Sequence, residues 1–199
     1  MKKDGEGIDL TISPIVNYMD MTDKGVLEMK MWLRINWKDE RLSWNPEEYG
    51  GVSQLNVPSD KLWMPDIVCF NGLTCGADST AKAFDIARRH TPVLVYASGD
   101  VAQVTSNLDV KVQCADEEFA NWPWGEYDCK VLFGSWTYKG AEIKLAAGEG
   151  NFYIDNSNMI ANSPMIITEN SFKEDPLTVK TYGTEDEYMS LKYEFKVRF

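Results

Sequence analysis

Apolar and polar side chains exchange places at nearly every residue in several stretches of this chain, the two-residue period of strands with one face buried. Ile8, Leu10 and Ile12 alternate in the first stretch, and Met29, Met31, Leu33, Ile35 and Trp37 line one face of a long second one. Leu108, Val110, Val112 and Cys114 alternate with Asn107, Asp109, Lys111 and Gln113. Near the end Tyr193, Phe195, Val197 and Phe199 oppose Lys192, Glu194, Lys196 and Arg198. Turn chemistry separates such runs: Asn45 to Gly51, Val57 to Asp60, and Ser98-Gly99-Asp100 between extended runs at 93–97 and 101–105. Leu62 to Val68, Lys130 to Trp136, Ile143 with Leu145, and Met165 to Thr168 read as further strands, with loops at 72–82, 146–155 and 180–189. Almost nothing follows a helical period, so the pattern predicts an all-β sandwich. Trp32, Trp44 and Trp63 are expected in its core.

The strands on either side of the segment from Cys114 to Cys129 each leave a cysteine at the mouth of a short loop carrying Trp122-Pro123-Trp124. Two readings fit: a disulfide-closed hairpin, worth roughly 3 kcal/mol in the chain-entropy model, or a pair of reduced core cysteines. Cys69 and Cys75 complete the four, with either a local disulfide or free buried thiols open to them. There is no CxxC, and His90 is the single histidine, which removes most zinc sites and leaves no nucleophile constellation; neither a metal, a cofactor nor an enzyme is expected. The 199 residues suit one domain spanning 1–199. A net charge of −11 argues against nucleic acid and anionic membrane as partners and favours cations. No apolar stretch approaches the roughly 18 residues that span a bilayer, and Met1 to Gly5 does not read as a signal peptide.

Four stretches, in order, carry a family resemblance. They are Trp32 to Gly51 (WLRINWKDERLSWNPEEYGG), Leu62 to Val68 (LWMPDIV), the Cys114 to Cys129 loop, and Gly134-Ser135-Trp136-Thr137. The chain resembles the extracellular ligand-binding domain of nicotinic acetylcholine receptors, members of the Cys-loop ligand-gated channels, and of the soluble acetylcholine-binding proteins. The resemblance implies an immunoglobulin-like β-sandwich of about ten strands, a ring-shaped homopentamer, a Cys114 to Cys129 disulfide and a small cationic or aminergic ligand at subunit interfaces. Ring faces hold a cation that has no hydrogen-bond donors, at about 0.5–2 kcal/mol per good contact. Carried onto this sequence, the principal face is Phe70, Trp136, Tyr182 and Tyr188. The complementary face, supplied by the neighbour, is Trp37, Gln103, Thr105 and Val95.

The sequence departs from the family pattern in places. Tyr182-Gly183-Thr184-Glu185-Asp186-Glu187-Tyr188 lacks the adjacent cysteine pair of acetylcholine-binding subunits, Phe70 stands for the usual tyrosine, and the Cys loop is one residue longer, with Gly125 and Tyr127 beyond its tip. The apolar tip favours a plasma-membrane receptor ectodomain over a secreted binding protein. Phe199 falls about where a receptor enters its first membrane helix, and the family's N-terminal helix has no counterpart, so the chain is expected to lack a pore domain and to be shortened at its start. An adhesion module whose aromatics are all core is a third reading.

Overall fold

The computed structural model describes residues 7–76, 92–114, 122–148, 153–154, 163–181 and 184–199. Tyr182 and His90 lie outside these. Twelve strands are described: β1 (Ile8–Met21), β2 (Val26–Lys38), β3 (Gln54–Val57), β4 (Ile67–Cys69), β5 (Gly72–Gly76), β6 (Val93–Tyr96), β7 (Asp100–Gln113), β8 (Tyr127–Ser135), β9 (Ile143–Ala147), β10 (Tyr153–Ile154), β11 (Ile166–Thr181) and β12 (Thr184–Arg198). The only helical turns among the described residues are short 3-10 turns at Glu40–Leu42, Pro46–Tyr49 and Ser59–Lys61.

Two sheets form. The larger runs β10-β1-β2-β7-β6-β3, with β5 also on β7 and β9 also on β1; the smaller runs β11-β12-β8-β4. Their facing sides share one apolar cluster that takes Leu10, Ile12, Met29, Leu33 and Val110 from the first sheet and Phe133, Leu191, Tyr193 and Val197 from the second. The fully buried Tyr193 hydroxyl donates across the sandwich to the Ile12 carbonyl at 2.8 Å. Burial pushes the pKa of that phenol well above its ordinary range, so it stays a protonated donor. Cys114, just past β7, and Cys129 in β8 are joined by a disulfide that ties one sheet to the other.

Bulges decide which side chains face inward. In β1 the inward set runs Leu10, Ile12, Val16 until an irregularity between Val16 and Tyr18, after which Met19 and Met21 point in. In β7 the register against β2 jumps from Thr105 opposite Leu33 to Leu108 opposite Met31. The extra residue there shifts the phase by one. Even-numbered Leu108, Val110 and Val112 are buried beyond the bulge, and odd-numbered Val101, Gln103 and Thr105 before it.

Several segments differ from expectation. Residues 72–76, expected as loop, pair with β7. Most of the polar stretch 180–189 belongs to the long β11–β12 hairpin, whose ladder runs from Ile166 opposite Arg198 to Thr181 opposite Thr184. Neither segment offers an apolar alternation in its sequence, so the two-residue period does not mark it as a strand. The expected strands at 101–105 and 107–114 are one bent strand, β7. Gly99, in the turn before β7, has φ 84, and a Cβ there would lie 2.7 Å from the Asp39 carbonyl oxygen. Only glycine meets both conditions.

Candidate ligand-binding site

The segment 134–137 projects an aromatic side chain from a fixed base. Gly134 comes first: a Cβ at this position would run into the Phe70 ring and lie 2.9 Å from the Met189 carbonyl oxygen. Its bare backbone leaves room for the Phe70 ring to pack against β8. Ser135 and Thr137 are tied to one carboxylate. Asp66 accepts from the Ser135 hydroxyl through Oδ1, and through Oδ2 from the Thr137 amide at 2.8 Å and the Thr137 hydroxyl at 2.6 Å. The Ser135 oxygen in turn accepts from the Tyr138 amide at 3.0 Å, and the Trp136 amide donates to the Asp66 carbonyl at 3.3 Å. Trp136 therefore stands 53% exposed on a turn that is hydrogen-bonded on both sides.

Phe70 reaches it from the neighbouring strand end. The Phe70 amide donates to the Leu132 carbonyl at 2.9 Å, and Asn71 bonds the edge of β8 through its Nδ2 to the Lys130 carbonyl (2.8 Å) and its Oδ1 from the Leu132 amide (2.9 Å). The Phe70 and Trp136 ring centroids are 6.4 Å apart with 37° between their planes. On β12, Ser190 pairs with Gly134, so continuing that antiparallel register by two residues brings the half-buried Tyr188 level with Trp136. Phe70 and Trp136 thus meet at one end of the small sheet, and Tyr188 lies on β12 toward the same end.

The four residues expected on the complementary face are placed otherwise. Trp37 is only 4% exposed and belongs to the core; its ring meets Trp63 edge-on at 6.1 Å, and Trp63 meets Tyr138 at 5.8 Å and donates from Nε1 to the Tyr138 hydroxyl at 3.0 Å. This aromatic ladder supports the turn that carries Trp136 from behind. Gln103 and Thr105 are fully buried and Val95 nearly so. Side chains enclosed in their own subunit's core have no surface to offer a neighbour's ligand. The bulge in β7 explains the displacement of Gln103 and Thr105, since the alternation at 108–114, extended backwards without it, turns them outward. The outer face of the same strands instead presents Trp32 and Arg34 on β2, Ala102 and Val104 on β7, and Leu94 on β6. Arg34 pairs in register with Val104, and Ala102 with both Asn36 and Leu94. Trp32, expected in the core, lies on this outer face and is half-buried there.

An open pocket of about 510 Å³ lies beside Asp66, lined by Trp63, Met64, Thr137 and Tyr138 among others. Neither Phe70 nor Trp136 lines it. Among the described residues no group of three or more His, Cys, Asp or Glu could hold a metal ion. None of their helices is long and apolar enough to cross a membrane.

The sequence model of the neurotransmitter-gated ion-channel ligand binding domain matches residues 7–198. The chain belongs to that family. It is a family of receptors and not of enzymes. The domain is 39% identical over 121 residues to the acetylcholine receptor subunit beta-type acr-2 of Caenorhabditis elegans, covering 60% of the chain and 19% of that protein. It is 29% identical over 191 residues to the rat neuronal acetylcholine receptor subunit alpha-6, 96% of the chain and 35% of the relative. To the chicken neuronal acetylcholine receptor subunit beta-3 it is 34% identical over 154 residues, 77% and 30%. The ligand-binding domain thus spans about a third or less of these relatives. Of the elements that build the Trp136 turn, the clamp by Asp66 is the one that alternation could not reveal. Its sole sequence signal is the aspartate of Leu62 to Val68, 69 residues before Ser135.

Proposed function

We propose that this domain is the extracellular, ligand-binding part of a nicotinic-like receptor subunit that assembles as a homopentamer and takes a small cationic or aminergic ligand between adjacent subunits. One subunit supplies Phe70, Trp136 and Tyr188, with Tyr182 as the fourth aromatic. The outward side of β2, β7 and β6, with Trp32, Leu94, Ala102 and Val104, faces it from the neighbour. The observation that carries this reading is Trp136, half-exposed beside Phe70 on a turn clamped through Asp66. A large ring held open to solvent by that many hydrogen bonds is preorganised for a contact outside its own chain. The net charge of −11 adds long-range attraction for a cation. Ligand capture would favour closure of the β11–β12 tip over the box, and the disulfide loop would pass that change to a membrane pore.

The channel reading is favoured over a secreted binding protein by the loop tip. Trp124 is 90% exposed, while Trp122 packs on Tyr127 at 6.0 Å and edge-on against Phe199 at 4.8 Å. An exposed apolar tip of this kind suits docking against another protein surface. A tryptophan-fluorescence screen against quaternary ammonium ions, biogenic amines, amino acids and inorganic cations tests the ligand class. Saturable quenching by the organic cations is expected; quenching by amino acids alone would overturn it. Light scattering tests the assembly, with a five-chain mass expected.

A further inference from the structure

We propose that Cys69 and Cys75 form a second disulfide, which locks the turn carrying Phe70 and staples the two sheets next to the aromatic site. Both side chains are buried in the shared core, 5% and 1% exposed, and they come from opposite sheets. Cys69 ends β4, opposite Phe133 on β8; Cys75 lies in β5, opposite Val110 on β7. Residues 70–71 turn the chain from one sheet to the other between them. Gly72 shows how close the sulfurs come to the turn. A Cβ there would lie 3.1 Å from the Cys69 Sγ and 3.3 Å from the Cys75 Cβ, so its bare backbone occupies the space against both. Both are free cysteines in thiol form, and their mutual hydrogen bonding, followed by burial, pushes the pKa of the Cys75 thiol up.

The chain already carries the Cys114 to Cys129 disulfide between the same two sheets, which places its folding in an oxidising compartment. Two thiols that meet there, enclosed in apolar surroundings, have a ready route to a bond. While the chain is still open, one cysteine thiolate attacks the disulfide of a thiol oxidoreductase or of oxidised glutathione, forming a mixed disulfide and releasing one thiolate. The second cysteine thiolate then attacks the protein sulfur of that mixed disulfide, forming the Cys69 to Cys75 bond and releasing the other. The protein loses two protons and two electrons, and the oxidant's disulfide becomes two thiols. Burial afterwards shields the bond from exchange. Because Phe70 directly follows Cys69, the bond restricts the backbone that sets its ring against Gly134, whatever ligand the site takes.

The test uses the whole 199-residue chain, secreted from a eukaryotic host, quenched in acid, unfolded and alkylated with N-ethylmaleimide without reduction. Intact mass is expected to show no adduct and to lie about 4 Da below the fully reduced chain, about 2 Da for each disulfide. Peptide mapping is expected to return a 69–75 link beside the 114–129 link. Two adducts with a single 114–129 link would overturn the proposal, as would any link joining Cys69 or Cys75 to Cys114 or Cys129. None of these readouts depends on ligand binding.

Discussion

Replacing Asp66 by alanine removes the acceptor that holds both sides of the Trp136 turn. Three donors lose their partner at once: the Ser135 hydroxyl, the Thr137 amide and the Thr137 hydroxyl. Their costs differ because their surroundings do. Thr137 is exposed, so water replaces much of what its two donors lose, whereas Ser135 is 2% exposed and keeps only its contact with the Tyr138 amide. A buried donor stripped of a charged acceptor, plus two partly compensated exposed ones, gives a loss of about 1–3 kcal/mol. Urea unfolding should therefore show a lower midpoint with an unchanged slope, since no extra surface is exposed. Hydrogen exchange at the Thr137 amide should quicken, and Trp136 emission should broaden as its turn loosens. Asp66→Asn, which keeps one carbonyl acceptor but presents a donor where Oδ2 stood, should fall between. A loss below about 0.5 kcal/mol in Asp66→Ala, with Thr137 exchange unchanged, would refute the clamp.

Other consequences follow from the same packing. Trp37→Ala should cost about 3–5 kcal/mol by calorimetry or urea titration, as emptying a buried tryptophan site does, while Trp32→Ala, at a half-buried site on the outer face, should cost clearly less and weaken ligand binding instead. Equal stability losses would contradict the assignment of faces. Tyr193→Phe should lower stability by about 1 kcal/mol in urea, a modest figure because the Ile12 carbonyl still accepts from the Gly148 amide at 2.9 Å. The hydrogen bonds from Arg41 hold the Asp39 carboxyl below its ordinary value, so this pair contributes above the unfolded carboxylate range and its contribution is lost as pH falls through the depressed folded value. Carbon-detected NMR titration of Arg41→Ala should move the Asp39 midpoint upward; an unmoved midpoint would refute that cause.

What the sequence revealed, and what it hid, follows from which faces meet water. β2 and the end of β12 pack one side on the core, so their alternation is legible and their strands appear as expected. The far part of the β11–β12 hairpin has polar residues at successive positions, and the same sequence suits a loop equally well. The site divides in the same manner. Gly134-Ser135-Trp136-Thr137 was recognisable as a motif, yet the acceptor that organises it stands at Asp66 on a different strand end, reachable only through the fold. Parity was the larger loss: an inserted residue at the β7 bulge reverses in and out, and nothing in Val104-Thr105-Ser106-Asn107 marks it by hydrophobicity. Trp37 shows the complementary failing. It already belonged to the apolar face of β2, and its place in a family motif outweighed that periodicity.

The most direct test of the central claim compares the choline dissociation constants of the wild-type chain and Trp136→Ala by isothermal titration, after circular dichroism has shown equal folding. Losing a principal cation–π contact worth about 0.5–2 kcal/mol should weaken binding by about 2- to 30-fold. Choline bound with equal affinity by the folded variant would contradict the placement of the ligand at Trp136.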